Sequence, residues 1–311
     1  MKKLVQVSAA AALAAMLGLT ACSGGGDAAS AEGDAPAQQL TSGIDEAAAA
    51  ALPDSIREAG VIRAAAGIPY PPFILLDGDE QTGLDPDLAQ ALGEKLGVEI
   101  ELSHQAFETV IPALQAKKFD VIMSGMNDTI EREKTLNFVE EIYAGFTIVV
   151  KAGNPEGIAG LEDLCGHPVA VQKASAQLEL LNELSETCSA EGKGRLTIQQ
   201  LPTAQDPQTA LKAGRVVAYP VDAPVAAYTV ATAGDGKDFE MVEDPEHPAG
   251  VNPVYTGIGT LKENTELTEA LRLALQALID EGVYQDILES HGLGSFATEE
   301  AIVNGASLAG E

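Results

Sequence analysis

From about residue 54 onward, short apolar runs alternate with stretches of helical period. Val61–Ala66, Val98–Leu102, Val121–Met123, Thr147–Val150, Pro168–Val171, Leu196–Leu201, Val216–Val221 and Gly257–Leu261 read as strands. Residues 87–96 put Leu88, Leu92 and Leu96 on one helical face, and residues 266–280 do the same with Leu267, Leu271, Leu275 and Leu278. Segments 110–117, 176–184 and 208–213 are shorter versions of that pattern. Strands alternating with helices predict an α/β architecture with largely parallel sheets.

The length of 311 residues is about twice that of a common domain and predicts two lobes. Ile142–Phe146 and Asn252–Tyr255 read as extended crossings between them. This places one lobe at 44–141 plus 257–311, the other at 146–251, and hinges near 142–145 and 252–256. Residues 292–311 are left open, either packed on the first lobe or hanging free.

The N-terminus carries an address. Met1-Lys2-Lys3 precedes an apolar run from Leu4 to Leu19, too short to span a membrane comfortably, and then Leu19-Thr20-Ala21-Cys22. This resembles a bacterial lipobox, in which the Cys is lipid-modified and becomes the new N-terminus. A leader over 1–21, a lipidated Cys22 and a Gly/Ala/Ser-rich tether over 22–43 follow. As a flexible coil of about 20 residues, such a tether reaches roughly 25 Å. Two or more acyl chains would hold the protein at the outer face of the cell membrane.

Charge narrows the partners. Lys and Arg number 18 against 47 Asp and Glu, a formal net charge of -29. That excludes a phosphate-binding face and so nucleic acid, and it disfavours adsorption to an anionic membrane. A solvated acidic surface is the simpler account. Outside the cell, Cys165 and Cys188 are free to pair. The competing metal site lacks ligands, since only His167 among the scattered histidines lies near a Cys.

Catalytic signatures are missing. There is no Gly-x-Ser-x-Gly elbow, no His-Glu-x-x-His and no phosphate loop, and no cofactor or metal is expected. Asp77–Gly83 fails as a calcium loop, with Thr82 at the sharp turn and Leu88 at the twelfth position, and reads as a solvated turn.

A series of short motifs covers nearly all of the rest. Tyr70-Pro71-Pro72-Phe73 is followed by Gly83-Leu84-Asp85-Pro86-Asp87-Leu88, then by Phe107 with Val110–Gln115. Phe119-Asp120-Val121 leads to Ser124-Gly125-Met126-Asn127-Asp128-Thr129 and Glu131-Arg132-Glu133-Lys134. Asp163-Leu164, Val169–Lys173, Asp222-Ala223-Pro224 and Gly282-Val283-Tyr284 complete the order. In this order, after a lipobox, the set resembles the family-three extracellular solute-binding proteins.

The resemblance implies a periplasmic-binding-protein-like fold of two α/β lobes with two hinge crossings. It implies the substrate-capturing subunit of an ABC importer for polar amino acids or related zwitterions, working as a monomer with a permease and its ATPase. Arg132 matches the family's carboxylate clamp, and Asp222 its partner for the ligand ammonium. Tyr70 and Phe107 match the aromatic walls. Ser124, Gly125 and Asn127 match partners from one lobe, and Gln172, Ser175 and Ala176 a donor turn from the other. A zwitterion leaving water needs both charges paired, and a planar guanidinium can hold both carboxylate oxygens at once. For each residue a plainer role competes: a surface charge for Arg132, a helix N-cap for Asp222, core packing for the two aromatics.

Three departures stand out. Gly67 occupies a place where relatives that take cationic side chains carry an acid, Asn127 replaces the commoner Thr or Ser, and Val221 replaces a polar neighbour of Asp222. They lean toward a neutral or acidic ligand. Two other roles fit the same fold: a secreted cyclohexadienyl-dehydratase-like enzyme, which needs a pocket acid or base besides Asp222, and a lipoprotein sensor that presents its closed form to a receptor.

Overall fold

The computed structural model describes residues 41, 43–242 and 250–308. The leader, Cys22 and nearly all of the tether lie outside the described residues. In chain order the elements are α1 (Glu46–Ala51), α2 (Asp54–Ala59), β1 (Val61–Ala66), β2 (Leu75–Asp77), β3 (Glu80–Thr82), α3 (Leu84–Leu96), β4 (Glu99–His104), α4 (Val110–Gln115), β5 (Val121–Asn127) and β6 (Leu136–Lys151). There follow β7 (Pro168–Gln172), α5 (Ala176–Ala190), β8 (Thr197–Leu201), α6 (Asp206–Lys212), β9 (Ala218–Asp222), α7 (Ala223–Thr232), β10 (Phe239–Met241), β11 (Val251–Leu261), α8 (Thr265–Asp280) and α9 (Val283–Ser290).

The main sheet runs β4-β1-β5-β11-β6-β9-β7-β8, with β10 paired to β6. Its wings are parallel: β1 with β4 and β5, and β7 with β8 and β9. Its middle is not, because β11 is antiparallel to both β5 and β6, and β6 to β9. The largely parallel sheet expected from the alternation therefore holds only in the wings. A chain that crosses between two α/β halves and returns must run its two crossing strands in opposite directions.

Each wing is a helix–sheet–helix layer. Leu84, Leu88, Leu92 and Leu96 of α3 recur every four residues and are all buried on one face of the first wing, with Leu267, Leu271, Leu275 and Leu278 of α8. The other face packs Val110 and Leu114 of α4 against Ile122, Leu136 and Phe138. In the second wing, Leu181 and Cys188 of α5 cover Ile148, Val150, Val169 and Val171. Ala210, Leu211 and Ala226 of α6 and α7 cover Val149, Ala170 and Tyr219. Cys165 and Cys188 are joined as a disulfide with their Cα atoms 5.5 Å apart, which ties the turn before β7 to α5. A loop of this length is worth about 3 kcal/mol in the chain-entropy account.

The 16-residue β6 is the largest difference from the expected pattern. Only Thr147–Val150 reads as strand in the sequence, because Glu140-Glu141 interrupts the apolar run. Both glutamates are fully buried. Glu140 Oε1 accepts from Gly305 N at 2.9 Å, and Asp128 Oδ2 from Ala306 N at 2.9 Å. The C-terminal segment thus lies along β6, with Val139 bridging Val303 and Glu140 N donating to Ile302 O at 3.0 Å. Glu141 and Asp85 are both completely buried, and among the described residues their four carboxylate oxygens find no well-formed hydrogen bond.

Burial pushes these carboxyls up, Asp85 and Asp128 to about 7, and Glu140 and Glu141 well above the usual carboxylate range. In the unfolded chain the same groups ionise near pH 4. Between about pH 4 and 7 the folded state therefore holds protons that the unfolded state has released. The contribution of Asp85 and Asp128 is complete below the unfolded values and is lost as pH rises through about 7. Calorimetry should find a higher melting temperature at pH 5.5 than at pH 8, and Asp85→Asn should flatten that slope; a melting temperature that rises over the interval would contradict the assignment.

Candidate functional site

Four loops meet at the C-terminal ends of the parallel strands, where α/β sheets place their crevices. The loop after β1 carries Tyr70. Its ring stacks on the buried Phe73 with centroids 5.4 Å apart and planes 7° from parallel. Gly125 on β5 lies beneath that ring at φ +54, and a Cβ there would sit 2.8 Å from Tyr70 Cε1. Backbone conformation and space both require glycine here. Ser124, 1% exposed, accepts from Gly67 N at 2.8 Å and so fixes the start of the Tyr70 loop.

Asp222 ends β9 and stands at the N-cap position of α7, yet its side chain makes no capping bond. Its carboxylate turns across to the first wing. One oxygen accepts from the Tyr70 hydroxyl, and the other from Asn127 Nδ2 at 2.8 Å. Asn127 Nδ2 also reaches Thr256 Oγ1 on β11 at 3.0 Å. Burial raises the Asp222 pKa, opposed by the donors Tyr70 and Asn127. The Gln177 side chain opposes it as well.

Arg132 lies in a 3-10 turn, Arg132–Lys134, and is only 8% exposed, so it is not a surface charge. One Nη donates to Asn127 O at 2.5 Å, and the other crosses to Ala174 O at 2.9 Å. Its guanidinium carbon lies 5.8 Å from the centre of the half-buried Phe107 ring. Burial lowers the Arg132 pKa, against the pull of Glu179, Asp222 and Asp128. A guanidinium has five N–H donors, so three remain after these two bonds.

The second wing supplies the turn before α5. Ala174 has φ 60, which turns the chain so that its carbonyl meets Arg132. Ser175 caps α5: its Oγ accepts from Leu178 N at 3.3 Å and donates to Gln172 O at 2.9 Å. Ala176 and Gln177 open the helix, where N–H groups lack intrahelical partners and the dipole is positive.

Tyr70, Asn127, Arg132 and Asp222 are linked through these bonds, with Phe107 against Arg132, Gly125 against Tyr70, Ser124 on the Gly67 amide, and Gln172, Ser175 and Ala176 in the facing turn. Thr256, Gln177, Gln205 and the Lys173–Glu108 pair also belong to this region, and the sequence reading omitted them. Gln177 follows Ala176 in the same first helical turn, which is signal enough; Gln205 lies in a polar loop with nothing to mark it.

Comparison with known proteins gives a consistent result. The model of the bacterial extracellular solute-binding proteins, family 3, matches residues 62–294. The arginine-binding protein ArgT of Corynebacterium glutamicum is 33% identical over 257 residues, 82% of each chain. An ancestral arginine-binding protein bound to arginine superposes with a TM-score of 0.65 at 31% identity, covering 74% of this chain and 97% of that one. The ancestral amino acid-binding protein AncCDT-1, described as a precursor of cyclohexadienyl dehydratase, has a TM-score of 0.66 at 30% identity, covering 76% and 97%.

The tightest packing in the site is that of Tyr70 on Gly125. Gly125→Ala should destabilise the protein by about 1–3 kcal/mol, through backbone strain and displacement of the Tyr70 ring. Urea unfolding measures this, and a loss under 0.5 kcal/mol would mean that the loop shifts freely.

Proposed function

The chain belongs to family 3 of the bacterial extracellular solute-binding proteins, and we propose that it captures a cationic amino acid, with arginine first among them, for an ABC importer. The observation that carries the amino acid reading is the presence of two buried groups of opposite charge, Arg132 and Asp222, each held by a bond that crosses between the wings, while the cationic side chain is argued from the relatives. The ligand carboxylate takes the remaining N–H donors of Arg132 and the first-turn N–H groups of α5. Its ammonium adds to the free lone pairs of Asp222, between the walls formed by Tyr70 and Phe107.

Gly67 argues for a neutral side chain, whereas ArgT and the arginine-bound ancestral protein argue for a cationic one. The net charge of -29 favours the cation, because it raises the local concentration of positively charged solutes. We assign no catalytic step: the relatives are binding proteins, which sets the dehydratase-like reading aside. The protein works outside the cell, with the lipid on Cys22 as its anchor and a permease and ATPase as its partners.

We place the hinge at about 142–145 and 252–256, between lobes made of 44–141 plus 257–311 and of 146–251. Two features support the placement. The backbones of Gly145 and Gly250 are in such close contact that a Cβ on Gly145 would fall 2.3 Å from the Gly250 carbonyl carbon. The β6–β11 register also shifts between Val251 and Val254 and again between Thr256 and Gly257, which leaves the ladder weak where bending is needed.

A thermal-shift screen of arginine, lysine, histidine, glutamine and glutamate tests the reading. A ligand at a hundred times its dissociation constant adds about 2.7 kcal/mol of stability. A shift with glutamate or glutamine alone would overturn the cationic assignment, and no shift with any of the five would overturn the amino acid reading. Arg132→Ala should weaken binding by about 2–5 kcal/mol, since it strands a buried carboxylate. Asp222→Asn should abolish tight binding while leaving the circular dichroism spectrum unchanged; retained affinity would remove Asp222 from ammonium recognition.

A further inference from the structure

Two contacts join the wings without using any of the residues assigned to the ligand. Gln205 Nε2 donates to Pro69 O at 2.8 Å, and Lys173 Nζ lies 3.4 Å from Glu108 Oε2. Gln205 belongs to the β8–α6 loop of the second wing, and Pro69 to the β1 loop of the first. The loop holds Gln205 in place before it reaches across, because Asp206 Oδ2 accepts from Thr203 N at 3.0 Å and Asp206 N donates back to Thr203 O at 3.3 Å. A side chain presented from a fixed turn loses less freedom when its bond forms. The acceptor is equally well placed. The Pro69 carbonyl belongs to the peptide that leads into Tyr70, so the bond that closes the wings also fixes the plane from which Tyr70 reaches Asp222.

The ion pair is the weaker contact. Its side chains are 43% and 37% exposed, and pairs of that kind contribute little and weaken with salt. It does sit next to the site on both sides, since Glu108 follows Phe107 and Lys173 follows Gln172.

We propose that Gln205 is a closure residue: with Lys173–Glu108 as a minor, salt-sensitive second contact, its bond to Pro69 holds the wings together and sets how long a ligand stays rather than which ligand is chosen. The inference rests on the binding-protein reading and deepens it. A contact formed only on closure shifts the equilibrium toward the closed state by its own free energy, whatever the ligand. It therefore slows dissociation by the same factor for every ligand.

The test compares the full wild-type chain with Gln205→Leu, which keeps the volume and removes the donor. Small-angle scattering of the ligand-free proteins should give a larger radius of gyration for the variant. Radiolabelled arginine should leave the variant about 2- to 10-fold faster, the loss expected for one hydrogen bond. The ratio of arginine to histidine affinities should not move. Glu108→Gln should speed release by less, and its effect should vanish in 1 M NaCl. An unchanged radius together with an unchanged release rate would overturn the proposal. So would a changed arginine-to-histidine ratio, because Gln205 would then act on the choice of ligand, directly or through Tyr70. Failure of the wild type to bind arginine would count against the ligand assignment alone, with the scattering comparison still deciding whether Gln205 closes the cleft.

Discussion

The arrangement of this protein depends on where the Asp222 carboxylate finds its hydrogen bonds. A buried carboxylate without donors is too costly to keep ionised. Asp222 has the N-cap position of its own helix at hand and does not use it. It takes its donors from the other wing instead, from Tyr70 and Asn127. Asn127 then passes the connection on, through its amide to Thr256 on β11 and through its carbonyl to Arg132, which returns to the second wing at Ala174. One acid thus draws both wings and a crossing strand into a single network.

Asn127 explains why an amide can replace a hydroxyl at this position. A Thr or Ser side chain carries one donor, whereas an amide nitrogen carries two. Asn127 uses both, on Asp222 and on Thr256. Asn127 therefore joins Asp222 to β11 directly. Val221, the other departure beside the acid, is partly buried and packs against hydrophobic cores of both wings.

Elements with strong periodicity were legible in the sequence, and elements whose burial is polar or unpatterned were not. β1 matches Val61–Ala66 residue for residue, and the leucines of α3 and α8 face the core as their spacing requires. α3 begins three residues earlier than its leucine stripe implies, since Pro86 is well suited to a first helical turn. α7 went unread because its sequence is Ala-rich and offers no polar face. The first half of β6 went unread because a run broken by two glutamates resembles a loop; burial holds both well above the usual carboxylate range, and the tail gives Glu140 a backbone donor. The charged residues of the site were readable as motif members. The uncharged contacts around them, Thr256 on Asn127 and Gln205 on the Pro69 carbonyl above all, join segments 100 or more residues apart and leave no local mark.

The same network keeps valences open for a small zwitterion once the wings have parted to admit it. A carboxylate offers about four lone pairs, and Asp222 commits two of them. A guanidinium offers five N–H groups, and Arg132 commits two. The bonds already present fix the orientation of each group and leave capacity on both. Binding therefore fills open valences on groups that are already positioned, and little of its free energy goes to reorganisation. What the ligand must still overcome is the desolvation of its own two charges, and in the proposed binding mode those are the charges that Arg132 and Asp222 complement.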